Sequence, residues 1–356
     1  MRVGTARATA RRWVAAHARD LPGYRGAYFG GSTVGKPDDA ELAPSSDVDV
    51  MVVTEADEVP VKPGKFRHEG ALLEISLVPW DELRDPAAVL SSYHLAGAFR
   101  TDTVIDDPSG ALRALHTAVA PRFAERKRVR SRCLDARHRV ESRLAAHDPG
   151  APFHERVTAW MFPTGVTTHV LLVAALRNPT IRLRYRAVRE VLEAYGRPEF
   201  HHELLDLLGC AEVPAEVVRH HLGELARTFD ATVPVARTPF FFSGDLTAGA
   251  RPVAVDGSRD LVERGEHREA VFWIVATFAR CHTVLAADAP ALHAERLPAF
   301  RAAVAALTGV TGPDDLPARG EKVLRFLPRL WETAEEILAA NPGITGDSAL
   351  PPPRPL

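Results

Sequence analysis

Two aspartates, Asp47 and Asp49, stand two positions apart within an otherwise apolar run. Their neighbours Val48 and Val50, and then residues 51–53, are apolar and predict a buried strand. Residues i and i+2 of a strand point to the same side, so the two carboxylates lie together. Like charges side by side are costly unless a cation binds them, and oxygen ligands of this kind suit Mg²⁺. The run therefore predicts a sheet with a metal site, and two solvated aspartates at a strand entrance are the alternative.

The first 110 residues alternate a helix with short runs of β-type pattern. The N-terminal stretch predicts an amphipathic helix with Trp13, Val14, His17 and Leu21 on its inner side. Pro, Gly and polar clusters separate the aspartate run from three more predicted strands. These strands cover residues 26–31, 71–79 and 101–107. We expect a small α/β domain, built on a sheet, over residues 1–110.

Helical periodicity replaces this pattern from Ala111 onward and predicts a second, mainly helical domain over residues 111–340. Pro163 predicts an interruption of one helix, and Thr180 the cap of another. Residues 148–150 predict a turn. The predicted helices cover residues 111–119, 121–147, 153–176, 180–195, 198–208, 214–229, 260–287, 290–308 and 316–340.

Two segments of this half lack a regular period. Residues 229–260 predict a loop or short hairpin over the helices, and long ordered loops in compact domains are often functional. An apolar lid packed as core is the alternative for this segment. Residues 341–356 end in a proline-rich stretch and predict a disordered tail.

Charge and cysteine content exclude several classes of protein. The 356 residues include 44 basic and 46 acidic side chains, and a formal net charge of -2 does not fit a nucleic-acid-binding surface. Cys133, Cys210 and Cys281 are widely spaced, which fits reduced thiols better than a disulfide framework or a zinc site. The apolar runs are shorter than the roughly 20 residues of a membrane span. We therefore expect a cytoplasmic protein that binds neither membrane nor nucleic acid.

A glycine-rich turn precedes the aspartate run. Gly30-Gly31-Ser32 follows a predicted strand and can open a helix, whose free N–H groups and Ser hydroxyl could hold a triphosphate. A plain turn is the alternative. Together with Gly35 and Lys36 the turn nearly completes a Walker A motif, but Pro37 replaces the final Ser or Thr of that motif, which disfavours a P-loop.

A third carboxylate, Glu74, lies in the middle of a predicted strand between Leu73 and Ile75. A buried, unpaired glutamate is costly, so we expect Glu74 to bind a cation or to transfer a proton. An edge-strand side chain that points to solvent is the alternative.

Taken in order, these features resemble the nucleotidyltransferase superfamily of DNA polymerase β, and within it the members that inactivate antibiotics, such as the kanamycin and lincosamide nucleotidyltransferases. The resemblance rests on Gly31-Ser32, on Ser46-Asp47-Val48-Asp49, on Glu74, and on residues 105–110, which are similar to the family's junction of strand, D-x-x-G and helix. It covers about the first 110 residues. The loop from Ser32 to Asp47 is longer than in compact members, and many members have Asp in place of Glu74.

The resemblance implies an α/β (α+β) nucleotidyltransferase domain with a short mixed sheet, followed by a helical acceptor-binding domain. It also implies Mg²⁺-dependent transfer of a nucleoside monophosphate from an NTP, which we expect to be ATP, to a hydroxyl of a small molecule, with release of pyrophosphate. Asp47 and Asp49 would hold one or two Mg²⁺ ions, and Glu74 would be a further metal ligand or the general base. Gly30-Gly31-Ser32 would bind the nucleotide phosphates.

The sequence is compatible with other functions as well. Nucleotidylation of a protein or RNA is one alternative, and a non-catalytic regulatory module that keeps the fold is another, although such a module has no need of three carboxylates. An aminoglycoside-like acceptor, and hence a role in antibiotic resistance, rests on analogy with the family alone. The sequence does not decide whether the chain forms a homodimer. Acidic helix residues could bind a cationic acceptor, but solvated helix faces are the commoner explanation; they are Glu155, Glu190, Glu193, Glu203, Glu266 and Glu269.

Overall fold

A five-stranded mixed sheet forms the N-terminal part of the chain in a computed structural model, which describes residues 1–55, 64–146 and 148–347. The strands are β1 (Tyr24–Phe29), β2 (Val48–Thr54), β3 (Gly64–His68), β4 (Ala71–Pro79) and β5 (Val104–Asp106). Their order in the sheet is β3-β4-β2-β1-β5. The β2 and β4 strands pair in parallel, and the other three pairings are antiparallel.

Side-chain alternation divides this sheet into two faces. Val48 and Val50 of β2 pack with Leu73 of β4 in one apolar core, which α1 (Val3–Trp13) covers. Asp49 stands between the two valines and therefore points to the opposite face. The four predicted strands are confirmed, whereas the edge strand β3 was not predicted.

The N-terminal helix forms as predicted, with one error on its inner side. Trp13 and Val14 are buried and Leu21 packs at the edge of the same core, but His17 is exposed and Ala18 is buried in its place. Residues 14–18 wind as a π-helical turn. Because a π-helix has more residues per turn than an α-helix, the buried side moves on by one residue.

The rest of the described chain is mainly helical, which confirms the α+β layout of a small mixed sheet followed by helices. The helices after α1 are α2 (Pro86–Ser91), α3 (Ala111–Val119), α4 (Arg126–Ala145), α5 (Phe153–Ala174), α6 (Arg184–Ala194), α7 (Pro198–Leu208), α8 (Ala215–Thr232), α9 (Gly257–Glu263), α10 (His267–Asp288), α11 (Pro290–Thr308) and α12 (Leu316–Ala340). Of these, α3, α7, α11 and α12 have the predicted bounds.

Two predicted helix boundaries are wrong. Pro163 lies inside α5 and does not interrupt it. A proline costs a helix about 3 kcal/mol, but α5 is buried along most of its length, and this packing outweighs the lost hydrogen bond. Thr180 caps no helix, because α6 begins at Arg184 and the Thr180 carbonyl accepts a hydrogen bond from His169 Nε2 at 2.9 Å.

The helix predicted over residues 260–287 is two helices in the structure. The chain breaks between α9 and α10 at Gly265, which has a φ of +80°. The predicted turn at residues 148–150 is confirmed, with the Gly150 N–H donating to Asp148 Oδ1.

Two long helices, α5 and α10, form the centre of the helical core. Within the described residues, these are the two helices that are long and apolar enough to span a membrane, but 83% of the apolar stretch in each is buried inside the protein. They pack against each other and against neighbouring helices, as core helices do.

The segment over residues 233–256 joins α8 to α9 through short 3₁₀ turns and a π-helical turn. Both predictions for this region hold in part. Phe242 and Leu246 belong to the helical core, whereas Thr247 Oγ1 donates to the carbonyl of Lys65 on the edge strand β3. The segment thus connects the helical core to the sheet.

The predicted disordered tail is wrong for its first seven residues. Asn341 Nδ2 donates to the Ala174 carbonyl at the end of α5, and Asp347 accepts a hydrogen bond from the Lys127 N–H at the start of α4. These polar contacts hold residues 341–347 against the helices. The remainder of the predicted tail, residues 348–356, lies outside the described residues.

Candidate metal and nucleotide site

Neighbouring strands bring the three predicted carboxylates together. In the parallel pairing of β2 and β4, Asp49 is the register partner of Glu74, and Asp47 directly precedes β2. Each of the three side chains offers a carboxylate oxygen, and these oxygens all lie within 4.8 Å of one another. The carboxylates of Asp47 and Asp49 therefore lie together, as their spacing in the sequence predicts, and Glu74 completes the group.

Burial makes two of these carboxylates, Asp47 and Asp49, difficult to ionise. Burial raises the pKa of Asp49 well above its ordinary value, and the negative charges of Asp47 and Glu74 raise it further. Burial also raises the pKa of Asp47, although Lys65 opposes this shift. Carboxylates in such a cluster need a bound cation or a proton.

The glycine turn lies directly against Asp49. The Ser32 backbone N–H donates a hydrogen bond to the Asp49 carboxylate, and the Gly30 N–H donates to the Asp49 carbonyl at 3.0 Å. A Cβ on Gly31 would lie 1.7 Å from Asp49 Oδ2, and the φ of Gly31 is +62°. Glycine is therefore required at position 31. The turn opens a 3₁₀ helix of three residues, Gly31–Thr33, rather than a longer helix.

A buried cation, Lys65, lies among the carboxylates and was not predicted. Lys65 of β3 is the register partner of Glu74 in the antiparallel pairing with β4. Its Nζ lies 2.5 Å from Glu74 Oε2 and 3.3 Å from Asp47 Oδ2. Although burial lowers the pKa of Lys65, the surrounding carboxylates outweigh burial and raise it, so the amine stays charged. A single lysine in a short polar strand gave no signal in the sequence.

The 233–256 segment adds a fourth carboxylate, Asp245. Asp245 Oδ1 lies 2.7 Å from Lys65 Nζ, and Asp245 Oδ2 lies 2.7 Å from Arg280 Nη1 on α10. The Arg280 guanidinium is packed over the rings of Phe162 and Phe242. Neither Asp245 nor Arg280 was predicted, and the one sequence signal was the long aperiodic stretch that contains Asp245.

The charges of this cluster fit a divalent cation. Arg182, the next cation, is shared between Asp47 and Asp260. When Arg182 is left out, the cluster has four carboxylates and two cations. With every group ionised, this leaves an excess of two negative charges, which one divalent ion would balance. The donors are carboxylate oxygens, as Mg²⁺ prefers. Asp47, Asp49, Glu74 and Asp245 are the carboxylates of this count, and Lys65 and Arg280 are its cations.

Two further contacts join the helical part to this site. Asn178 Nδ2, in the connection between α5 and α6, lies 3.4 Å from the Gly31 carbonyl. Arg182 Nη2 donates to the Ser45 carbonyl at 3.2 Å, just ahead of Asp47. The helical part thus contacts both the glycine turn and the approach to the aspartate strand.

The junction after β5 has the predicted arrangement of strand, turn and helix. Gly110 has a φ of +76° and directly precedes α3, and Asp107 Oδ2 accepts a hydrogen bond from the Arg113 N–H in the first turn of that helix. Asp106 forms an ion pair with Arg19 and accepts a hydrogen bond from the Tyr24 hydroxyl. These two aspartates therefore fix the end of the sheet and do not join the carboxylate cluster.

The acidic helix residues do not gather into one pocket. Glu266 and Glu269 both bind Arg189, and Glu203 pairs with Arg329. Arg186 also contacts Glu266, so arginines of the helical part pair with all three of these carboxylates. Glu190 and Glu193 also lie within reach of arginines, and Glu155 lies beside His154.

A cavity of about 320 Å³ lies beside residues 34–37, and none of the three carboxylates lines it. Arg7, Arg11 and Phe29 are among its lining residues. Phe29 belongs to the core under α1, so this cavity opens on the face of the sheet away from Asp49.

Comparison with models of known protein families gives no match to this chain. Comparison with curated proteins gives no match either. The residues of the site are therefore the basis for assigning a function.

Proposed function

We propose that this chain is a Mg²⁺-dependent nucleotidyltransferase of the DNA polymerase β type, which transfers a nucleoside monophosphate from an NTP to a hydroxyl of a small molecule. One observation carries the proposal: three carboxylates from two neighbouring strands converge beside a glycine turn. The Ser32 N–H already donates to Asp49, so phosphates held at this turn would lie next to the carboxylates. A metal-dependent transfer of phosphorus needs both elements at one place.

Each residue of the site has a distinct part in this reaction. Asp47 and Asp49 would hold the divalent cation, which when bound offsets the charge of the triphosphate. Gly31 and Ser32 orient the β- and γ-phosphates so that attack on the α-phosphorus is in line. Glu74 is a metal ligand, or it accepts the proton of the acceptor hydroxyl as the new O–P bond forms and the bond to pyrophosphate breaks.

The exposure of the site favours a small acceptor. The side chains of Asp47 and Glu74 are each 14% exposed, and Asp245 of the 233–256 segment pairs with Lys65, which contacts both. A hydroxyl on a small molecule reaches carboxylates of such low exposure more easily than one on a folded protein or RNA. We propose a hydroxylated small molecule, with aminoglycoside-like antibiotics as the first candidates and ATP as the donor.

Thermal unfolding with each NTP tests this function. We expect one NTP, together with Mg²⁺, to raise the melting temperature of the wild type. A ligand at 100 times its dissociation constant adds about 2.7 kcal/mol to the free energy of unfolding, which is readily measured. Asp49→Asn removes a metal ligand and should abolish this rise.

Asp39→Asn is the matched control, since Asp39 is an exposed aspartate on the loop between the glycine turn and β2, and its loss removes the same charge. This variant should keep the full shift. If no NTP stabilises the wild type, or if Asp49→Asn is stabilised equally, the proposal is wrong. The NTP identified in this way would then be used in a screen of acceptors for pyrophosphate release.

A further inference from the structure

The ammonium group of Lys65 is shared between the carboxylate cluster and the helical part of the chain. Its Nζ lies 2.5 Å from Glu74 Oε2, 2.7 Å from Asp245 Oδ1 and 3.3 Å from Asp47 Oδ2. The Lys65 side chain is 6% exposed, so water does little to screen these contacts. All three donors of the ammonium group can therefore be used by carboxylates.

Asp245 is held rigidly on the far side of this lysine. Arg280 binds its second oxygen at 2.7 Å, and the Arg280 guanidinium lies between aromatic rings, 4.8 Å from the centre of Phe162 and 5.5 Å from that of Trp273. The backbone of the segment is fixed as well, since the Asp245 N–H donates to the Phe242 carbonyl. Asp245 is thus a preformed partner for the ammonium group.

A divalent cation and Lys65 would compete for the same carboxylates. Asp47 and Glu74 belong to the group of three that could hold a metal, and both contact Lys65. Asp245 contacts Lys65 from outside that group. The more strongly Asp245 attracts the ammonium group, the less Lys65 opposes the metal.

We propose that Lys65 is a positioning residue that sets the affinity of the carboxylate cluster for a divalent cation, and that Asp245, held by Arg280, draws its ammonium group away from the metal ligands. This inference rests on the proposed function in that Asp47, Asp49 and Glu74 hold the metal. It predicts opposite effects for the two partners. Loss of Asp245 weakens metal binding, because Lys65 then bonds to Asp47 and Glu74 alone, whereas loss of the Lys65 charge strengthens it.

Direct binding of Mn²⁺, followed by electron paramagnetic resonance of the free ion, tests this inference without reference to activity. We expect Asp245→Asn to weaken Mn²⁺ binding by about 10-fold or more, the range found when partners of metal ligands are removed. Lys65→Met should bind Mn²⁺ more tightly than the wild type, and Lys65→Gln provides a second variant if Lys65→Met does not fold. Asp245→Glu should restore most of the affinity.

Asp256→Asn is the matched control, because Asp256 lies on the same segment and pairs with Arg251 and Arg259 at the surface. It should bind Mn²⁺ as the wild type does. Equal affinities in the wild type and Asp245→Asn, or weaker binding in both the Asp245 and the Lys65 variants, would overturn the inference, and so would a wild type that binds no Mn²⁺. If the Mn²⁺ affinities of the wild type and the variants follow the expected order, but no NTP stabilises the wild type, the proposed function is refuted and this inference is kept.

Discussion

Gly64 and Gly244 meet backbone to backbone, with no room for a side chain on either residue. A Cβ on Gly64 would lie 2.4 Å from the Gly244 Cα, and a Cβ on Gly244 would lie equally close to the Gly64 Cα. Both residues directly precede a charged partner of the site, Lys65 on one side and Asp245 on the other. The contact between the two glycines therefore sets the distance across which that ion pair forms.

Gly244→Ala should separate these two elements. The added methyl group would push the segment away from β3, and overpacking of this kind costs about 1–3 kcal/mol. We expect a lower melting temperature and, because Asp245 moves away from Lys65, weaker Mn²⁺ binding. Gly249→Ala is the control, since a Cβ there would lie 3.5 Å from the Lys65 carbonyl, an ordinary contact. Equal effects in the two variants would show that the close approach does not matter.

Gly31→Ala should disable the glycine turn. Its Cβ would overlap Asp49 Oδ2, and the positive φ of residue 31 adds strain. We expect NTP-dependent stabilisation to be lost and the free energy of unfolding to fall by more than 1 kcal/mol. Gly110→Ala separates the two causes, because Gly110 also has a positive φ but a Cβ there meets nothing within 4 Å. That variant should lose about 1 kcal/mol of stability and keep NTP binding, as measured by denaturant unfolding with and without nucleotide.

Glu74→Gln should slow the transfer step. The amide cannot accept the acceptor's proton, and general base catalysis contributes about 100-fold to 10,000-fold. We expect kcat to fall by about 100-fold or more while the KM for the NTP changes little, as followed by pyrophosphate release. A loss confined to metal affinity would instead assign Glu74 as a metal ligand. Glu69→Gln, at the β3–β4 turn, should leave kcat unchanged. If Glu74→Gln changes neither kcat nor the metal affinity, both roles are excluded.

A cluster of buried histidines in the helical part should make stability depend on pH. His282 Nδ1 lies 3.2 Å from His293 Nδ1, and His154 packs beside both rings. Burial lowers the pKa of His282 to about 3 and that of His154 to about 4. The unfolded chain takes up protons below about pH 6.5 that the folded chain does not, so the free energy of unfolding falls as the pH drops from about 6.5 towards 3.

His282→Phe should reduce this pH dependence, because the new ring can pack with Phe278 and Phe300 but cannot be protonated. We expect the variant to lose about 1–2 kcal/mol less than the wild type between pH 7 and pH 5, as measured by urea unfolding at both values. His220→Phe, at an exposed position, should behave as the wild type does. The same pH slope in all three proteins would contradict the prediction.

The candidate site shows which structural features can be predicted from local sequence and which cannot. Asp47 and Asp49 were predictable because the strand period alone places them on one side, and Glu74 because an acid among apolar residues is costly. Lys65 was not predictable, since its role depends on the antiparallel pairing of β3 with β4, and β3 is a short edge strand with weak alternation. Asp245 depends on tertiary packing of a segment without a period.

The errors in the helical part have a similar cause. The propensity of Pro163 to end a helix is a local effect, and the burial of α5 among its neighbours outweighs it. Residues 341–347 look polar and irregular by themselves, but Asn341 and Asp347 satisfy backbone groups of other helices. In both cases the deciding contact lies far away in the chain, where sequence pattern gives no information.

The position of Lys65 in the chain also bears on how the protein is made. Lys65 is nine residues from Glu74 but 180 residues from Asp245. A ribosome therefore completes the whole sheet, with its three carboxylates, long before it adds Asp245 and Arg280. The counter-ion of the sheet's carboxylates is thus synthesised together with them, before any part of the helical partner exists. In the finished protein Asp245 shares the same ammonium group, which links the sheet to the helical part.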